Sequence, residues 1–154
     1  MPGFEALHSS SLITRKIWML EKFYIFTLCC IDFSPKFQIV VSNGSNLRHL
    51  VLSGSKFLTN QSLMDTFNSH RNLETVDLSE CHSVTATCLQ SLGVQCKQLR
   101  RLILRNCHWV TRASLEYIAY HQSSLWSINL TGCWELVDQT IVQILASFRQ
   151  WVIL

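Results

Sequence analysis

One spacing of apolar residues returns every 26 positions and dominates this chain. Leu73, Val76, Leu78, Cys81, Val84 and Leu89 stand at offsets 0, 3, 5, 8, 11 and 16 of one unit. Leu99, Leu102, Leu104, Cys107, Val110 and Leu115 repeat those offsets, and Leu125, Ile128, Leu130, Cys133, Leu136 and Ile141 repeat them again. One period earlier the same positions hold Leu47, Leu50, Leu52, Ser55, Leu58 and Leu63. Within a unit the period changes. Thr75-Val76-Asp77-Leu78-Ser79 alternates, as does a strand with one buried face. Leu89, Leu92 and Gly93, then Leu115, Ile118 and Ala119, then Ile141, Ile144 and Leu145, follow helical spacing. Thr85, Thr111 and Asp138 precede those runs, where a side-chain oxygen can accept from free N–H groups of the first turn. Each unit therefore predicts strand, turn and helix, and none can bury its apolar face alone. Stacking units buries one continuous core.

The pattern divides the chain. Residues 1–27 carry no repeat, and their apolar run over 17–26 predicts a short capping helix or an unordered segment. Leu28, Ile31 and Phe33 stand at offsets 0, 3 and 5, but only 19 residues before Leu47, so residues 28–46 read as a shortened repeat. Full repeats cover 47–72, 73–98, 99–124 and 125–150. Residues 151–154 begin another, since Trp151 and Leu154 take offsets 0 and 3. An array ending on Trp-Val-Ile-Leu lacks the polar cap such arrays carry, so the expectation is either a partner over that edge or, in preference, a shortened form of a longer protein.

Composition narrows the function classes. A net charge of +3 with scattered Lys and Arg argues against nucleic acid. The longest uninterrupted apolar run near the N-terminus, residues 23–31, is nine residues, too short to span a bilayer. Of seven cysteines, Cys81, Cys107 and Cys133 share one repeat position as small buried side chains, and the rest show no disulfide framework. A reduced compartment, cytoplasm or nucleus, follows. No nucleophile–base pair, phosphate loop or paired carboxylates appear, so neither an enzyme nor a cofactor is expected. Cys81-His82 and Cys107-His108 lack zinc-ligand spacing, so no metal is expected either.

Cys-x-x-hydrophobic-Thr at Cys81-His82-Ser83-Val84-Thr85 and Cys107-His108-Trp109-Val110-Thr111, set in this period, resembles the cysteine-containing subfamily of leucine-rich repeats. The resemblance covers residues 47–150 and, more weakly, 28–46. It implies an α/β leucine-rich-repeat solenoid, a curved horseshoe with parallel strands on its concave face and helices on its convex face. The subfamily is best known from F-box proteins, whose F-box binds the Skp adaptor of a cullin-based ubiquitin ligase while the repeats select the protein to be ubiquitinated. No F-box opening is found in residues 1–27. Ligase subunits, the Skp adaptor and cullin, are thus implied only through a longer form that carries an F-box. The alternative is a leucine-rich-repeat scaffold or assembly factor without a ligase role.

Between the core leucines, alternate residues point out of the sheet. They form a column of His49, Val51 and Ser53, then Thr75, Asp77 and Ser79, then Arg101, Ile103 and Arg105, then Ser127, Asn129 and Thr131. A protein target is expected there. Arg101 and Arg105 beside Asp77 form a charged centre suited to an acidic or phosphorylated peptide, because guanidinium contacts such groups bidentately. The same Arg and Asp can equally pair with each other or stay solvated. The turns after the strands carry Phe57, His82, His108, Trp109 and Trp134, either interface anchors or a self-packed ridge.

Overall fold

The computed structural model describes residues 47–56 and 58–136 with their side chains, the single positions 142 and 146, and the strand backbone at 16–20, 23–27 and 152–153. Strands β1 (Lys16–Leu20) and β2 (Phe23–Thr27) are followed by β3 (Leu47–Val51) and helix α1 (Asn60–Ser69). Then come β4 (Thr75–Asp77), α2 (Thr87–Gln95), β5 (Arg101–Ile103), α3 (Arg112–His121), β6 (Ser127–Asn129) and β7 (Val152–Ile153). All strands lie in sequence order in one sheet. Only β1 and β2 pair antiparallel, with Lys16 opposite Thr27. A short capping helix over 17–26 is therefore not formed. The run of aromatic and β-branched residues there takes the extended form that such side chains favour.

From β3 to β6 the pairing is parallel and in step with the repeat: Leu50 faces Val76, Val76 faces Leu102, and Leu102 faces Ile128. Those four side chains, the residues two further along each strand, and Leu63, Phe67, Leu89, Leu92, Leu115 and Ile118 from the helices meet in one core. Val76, Leu78, Leu102 and Leu104 are fully buried. Helix α1 packs on α2, and α2 on α3.

The horseshoe-shaped leucine-rich-repeat solenoid is corrected to a smaller object. The strands with described side chains are four, β3 to β6, and they carry three helices in a second layer. Apolar periodicity fixes which face of each element is buried and the order of the units. Any layered βα packing satisfies those demands. Overall curvature and array length are not written in the pattern.

Helix starts divide between expectation and correction. Thr111 caps α3 as expected: its side chain accepts from the Ser114 N–H, and Ser114 answers by accepting from the Thr111 N–H. Thr59 and Ser62 form the same reciprocal cap on α1. Thr85 does not cap α2, which starts at Thr87 behind Ala86 with no side-chain cap. Instead the Asn60 amide engages Thr85 from the neighbouring unit, donating to its Oγ1 at 2.8 Å and accepting from its N–H at 2.9 Å. The repeat at 28–46, Phe57, the cap at Asp138, the apolar positions Ile141, Ile144 and Leu145, and Trp151 and Leu154 lie outside the described residues.

The helix C-termini are joined by a ladder that spacing alone did not reveal. His70, Cys96 and Gln122 follow α1, α2 and α3, and all three are buried. His70 Nδ1 lies 3.0 Å from the Thr66 carbonyl, and Gln122 Nε2 donates to Gly93 O at 2.9 Å, one unit back. Burial pushes the Cys96 thiol up to about 12, so it stays protonated.

Candidate functional site

The sheet's outer surface has two ends, and they are built differently. At the end where strands run into turns, one left-handed residue recurs per unit: Gly54 (φ 72°), Glu80 (φ 58°), Asn106 (φ 54°) and Gly132 (φ 74°). In the first three the N–H points sideways to the next unit. Gly54 donates to Ser79 O, Glu80 to Arg105 O and Asn106 to Thr131 O, at 2.8, 2.9 and 2.8 Å. The cysteine ladder lies directly behind. Cys81, Cys107 and Cys133 donate their thiol protons to the carbonyls of Leu52, Leu78 and Leu104 at 3.1, 3.1 and 3.0 Å. Burial pushes the Cys81 thiol to about 11 and the Cys107 thiol to about 12, and raises that of Cys133 as well. A protonated thiol is a poor nucleophile and metal ligand, so these groups are structural.

On the outside of the same turns stands an aromatic row. The His82 and His108 rings stack with centroids 5.8 Å apart at 10°, and His108 meets Trp134 edge-on at 6.2 Å and 64°. Trp134 is 81% exposed. Trp109 is placed otherwise than an exposed anchor. It is half-buried against the core, and its indole N–H donates to Cys81 O at 2.6 Å.

The charged centre expected at Asp77, Arg101 and Arg105 does not assemble. Asp77 Oδ1 accepts from the Ser79 N–H at 2.9 Å and from Ser79 Oγ at 2.6 Å. Asn129 does the same work two units later, accepting from the Thr131 N–H at 3.0 Å. Short polar side chains close local turns this way, and a partner two residues off wins over a mobile arginine on the next strand. Ser79 and Ser127, expected in the exposed column, are buried. Arg105 is exposed and makes no ion pair among the described residues.

Arg101 turns to the other end of the strands. Its guanidinium carbon lies 5.4 Å from the centre of the Trp126 ring, a cation–π distance. An open depression of about 330 Å³ is lined there by His49, Glu74, Thr75, Arg100, Arg101 and Trp126. Glu74 forms an ion pair with Arg48 on the adjacent unit. Of these residues only Arg101 was a named binding candidate from sequence, while His49 and Thr75 were in the outward column. Trp126, Arg100 and Glu74 were missed because they precede the strands, outside the alternating positions. Aligning the units would have found them: positions 48, 74, 100 and 126 read Arg, Glu, Arg and Trp, while their neighbours one residue earlier are all leucine.

Among the described residues, no three His, Cys, Asp or Glu side chains gather as a metal site. No helix there is long and apolar enough to cross a membrane.

No protein-family model matches the chain. It is 27% identical over 95 residues to the Candida albicans protein named antagonist of mitotic exit network protein 1. That match covers 62% of this chain and 14% of the relative, so the chain spans only a small part of that protein's length. The fold resembles the solved structure of the leiomodin-1 actin-binding site 2, with a TM-score of 0.53 at 10% identity, over 82% of this chain and 79% of that one. At that identity the likeness concerns fold alone. Together with the four strands and three helices it takes the place of the expected leucine-rich-repeat horseshoe.

Proposed function

We propose that this chain is a protein-recognition module whose binding face is the outer surface of the parallel sheet, centred on Arg101 and Trp126. The depression at those residues carries the reading: it joins a half-exposed indole to two exposed arginines, side chains enriched where proteins bind proteins. Trp134 and His108 on the turn ridge offer a second exposed aromatic contact. Asp77, Asn129 and Trp109 hold the turns rather than touch a partner.

The F-box resemblance extends the proposal to target selection within a ubiquitin ligase. The relative is named an antagonist of the mitotic exit network, and a second reading is a regulator that acts by binding, with no ligase role. Among the described residues the five cysteines are free and buried, which suits a reduced compartment, cytoplasm or nucleus.

A photo-crosslinking residue at position 126, compared with one at exposed Gln90 on α2, tests the face. Adducts with protein partners should form from 126, not from 90, and should vanish in an Arg101→Glu/Arg105→Glu chain whose circular dichroism is unchanged. Equal crosslinking from both positions, or adducts insensitive to the charge reversal, would remove this face as the site. Recovery of the Skp adaptor with a longer form of the chain would separate the ligase reading from the regulator. Failure of every form to recover it sinks the ligase.

A further inference from the structure

We infer that the depression seats an acidic side chain from an extended segment of a partner protein, its carboxylate gripped by Arg101 and Arg100 and its aliphatic stem lying against Trp126. This rests on the protein-recognition reading and names the chemistry of the partner.

Charge comes first. Arg100 and Arg101 are exposed on the rim, and Glu74 is the one acid in the lining. Its carboxylate already faces the Arg48 guanidinium across the sheet. The depression is therefore electropositive, and Arg105 carries that charge on beyond β5.

Preorganisation comes second. Arg101 lies over the indole and makes no side-chain hydrogen bond among the described residues. A guanidinium held over a ring face loses side-chain freedom yet keeps its N–H donors, which a carboxylate accepts bidentately. Less rotamer freedom is then lost on binding. The exposed part of the Trp126 ring supplies an apolar wall beside those donors. A nucleic acid would need a continuous basic track, whereas this patch is a short arginine cluster interrupted by Glu74, Asp77 and Glu80.

The test uses the full chain and fluorescence anisotropy with a labelled peptide alternating Glu and Leu. Companion peptides carry Gln or phosphoserine in place of Glu. The Glu peptide should bind at least about tenfold more tightly than the Gln peptide. Arg101→Gln should lose about tenfold, and Trp126→Ala and Arg101→Lys should each lose about fivefold, since the first of these removes the ring that restrains the guanidinium and the second removes the planar donor. Arg71→Gln, an equal charge loss at an exposed site just beyond α1, should change binding by less than about twofold. Equal binding of the Gln peptide, or an Arg71→Gln loss as large as that of Arg101→Gln, would reduce the effect to diffuse charge and overturn the inference. A preference of about tenfold for phosphoserine would overturn it in favour of a phosphate site. If no acidic peptide binds while crosslinks from position 126 persist, the carboxylate seat falls and the recognition module stands. Loss of both removes both.

Discussion

The two ends of the sheet's strands show opposite uses of the same repeat. At the turn end, the units agree in kind. Gly54, Glu80, Asn106 and Gly132 share one backbone conformation, and Cys81, Cys107 and Cys133 share one thiol–carbonyl bond. Gly54, Glu80 and Asn106 donate to the following unit, and the three thiols donate to the preceding one. At the starting end, the units differ: Arg48, Glu74, Arg100 and Trp126 stand at one position, and His49, Thr75, Arg101 and Ser127 at the next. All of them but Arg48 and Ser127 line the depression. Sameness between units marks construction, and difference between units marks where a specific surface can be built.

That contrast breaks if changes at the turn end prove harmless. Leu104→Ala should have the largest effect. Leu104 is fully buried, and its carbonyl receives the Cys133 thiol, so truncation leaves a cavity beneath the turn. A loss of about 2–5 kcal/mol is expected by urea denaturation. A loss below about 1 kcal/mol would mean that the core has collapsed into the space or was never tight.

Gly132→Ala sharpens the comparison within the turns. Both Gly132 and Gly54 sit at positive φ, which costs a Cβ-bearing residue about 1–2 kcal/mol. A Cβ on Gly54 would meet nothing within 4 Å, whereas one on Gly132 would fall 2.1 Å from Asn106 Oδ1. Gly132→Ala should therefore destabilise more than Gly54→Ala, because the Asn106 side chain must also swing away. Equal losses in thermal or urea unfolding would show that Asn106 moves freely.

The smallest effect at neutral pH is the titration of the buried thiols. Their folded values lie above the ordinary 9.0, at about 11 for Cys81 and about 12 for Cys88, Cys96 and Cys107, because burial disfavours the thiolate. The folded state thus holds these protons more tightly than the unfolded chain. Their contribution is fully present below pH 9.0 and is lost as pH rises towards about 12. Unfolding free energy should be level from pH 6 to 8 and should fall above pH 9.0. A chain whose stability does not fall there would place the thiols in water.

Much of the fold was legible in the chain. The leucine positions, the buried thiol ladder and the Thr111 cap follow from spacing, since each depends on which face of a local element meets the core. Thr85 was misread because its competitor, Asn60, belongs to the neighbouring unit, which no local cap pattern can see. The Arg101–Asp77 pair failed for the opposite reason: Ser79 is two residues away, and proximity in sequence won. Trp126 stayed hidden because it falls outside the alternating strand positions, and only the folded sheet brings it under Arg101.

The sequence alone determined the 26-residue unit, its strand and helix halves, and the parallel register that sets Leu50, Val76, Leu102 and Ile128 side by side. It could do so because burial repeats with the period of the backbone. Only the tertiary structure decided the extent of the α/β unit, the partner of Arg101, and the place of the depression. Those depend on which of several nearby groups a flexible polar side chain reaches, and that choice is made by distances across strands that no spacing along one strand encodes.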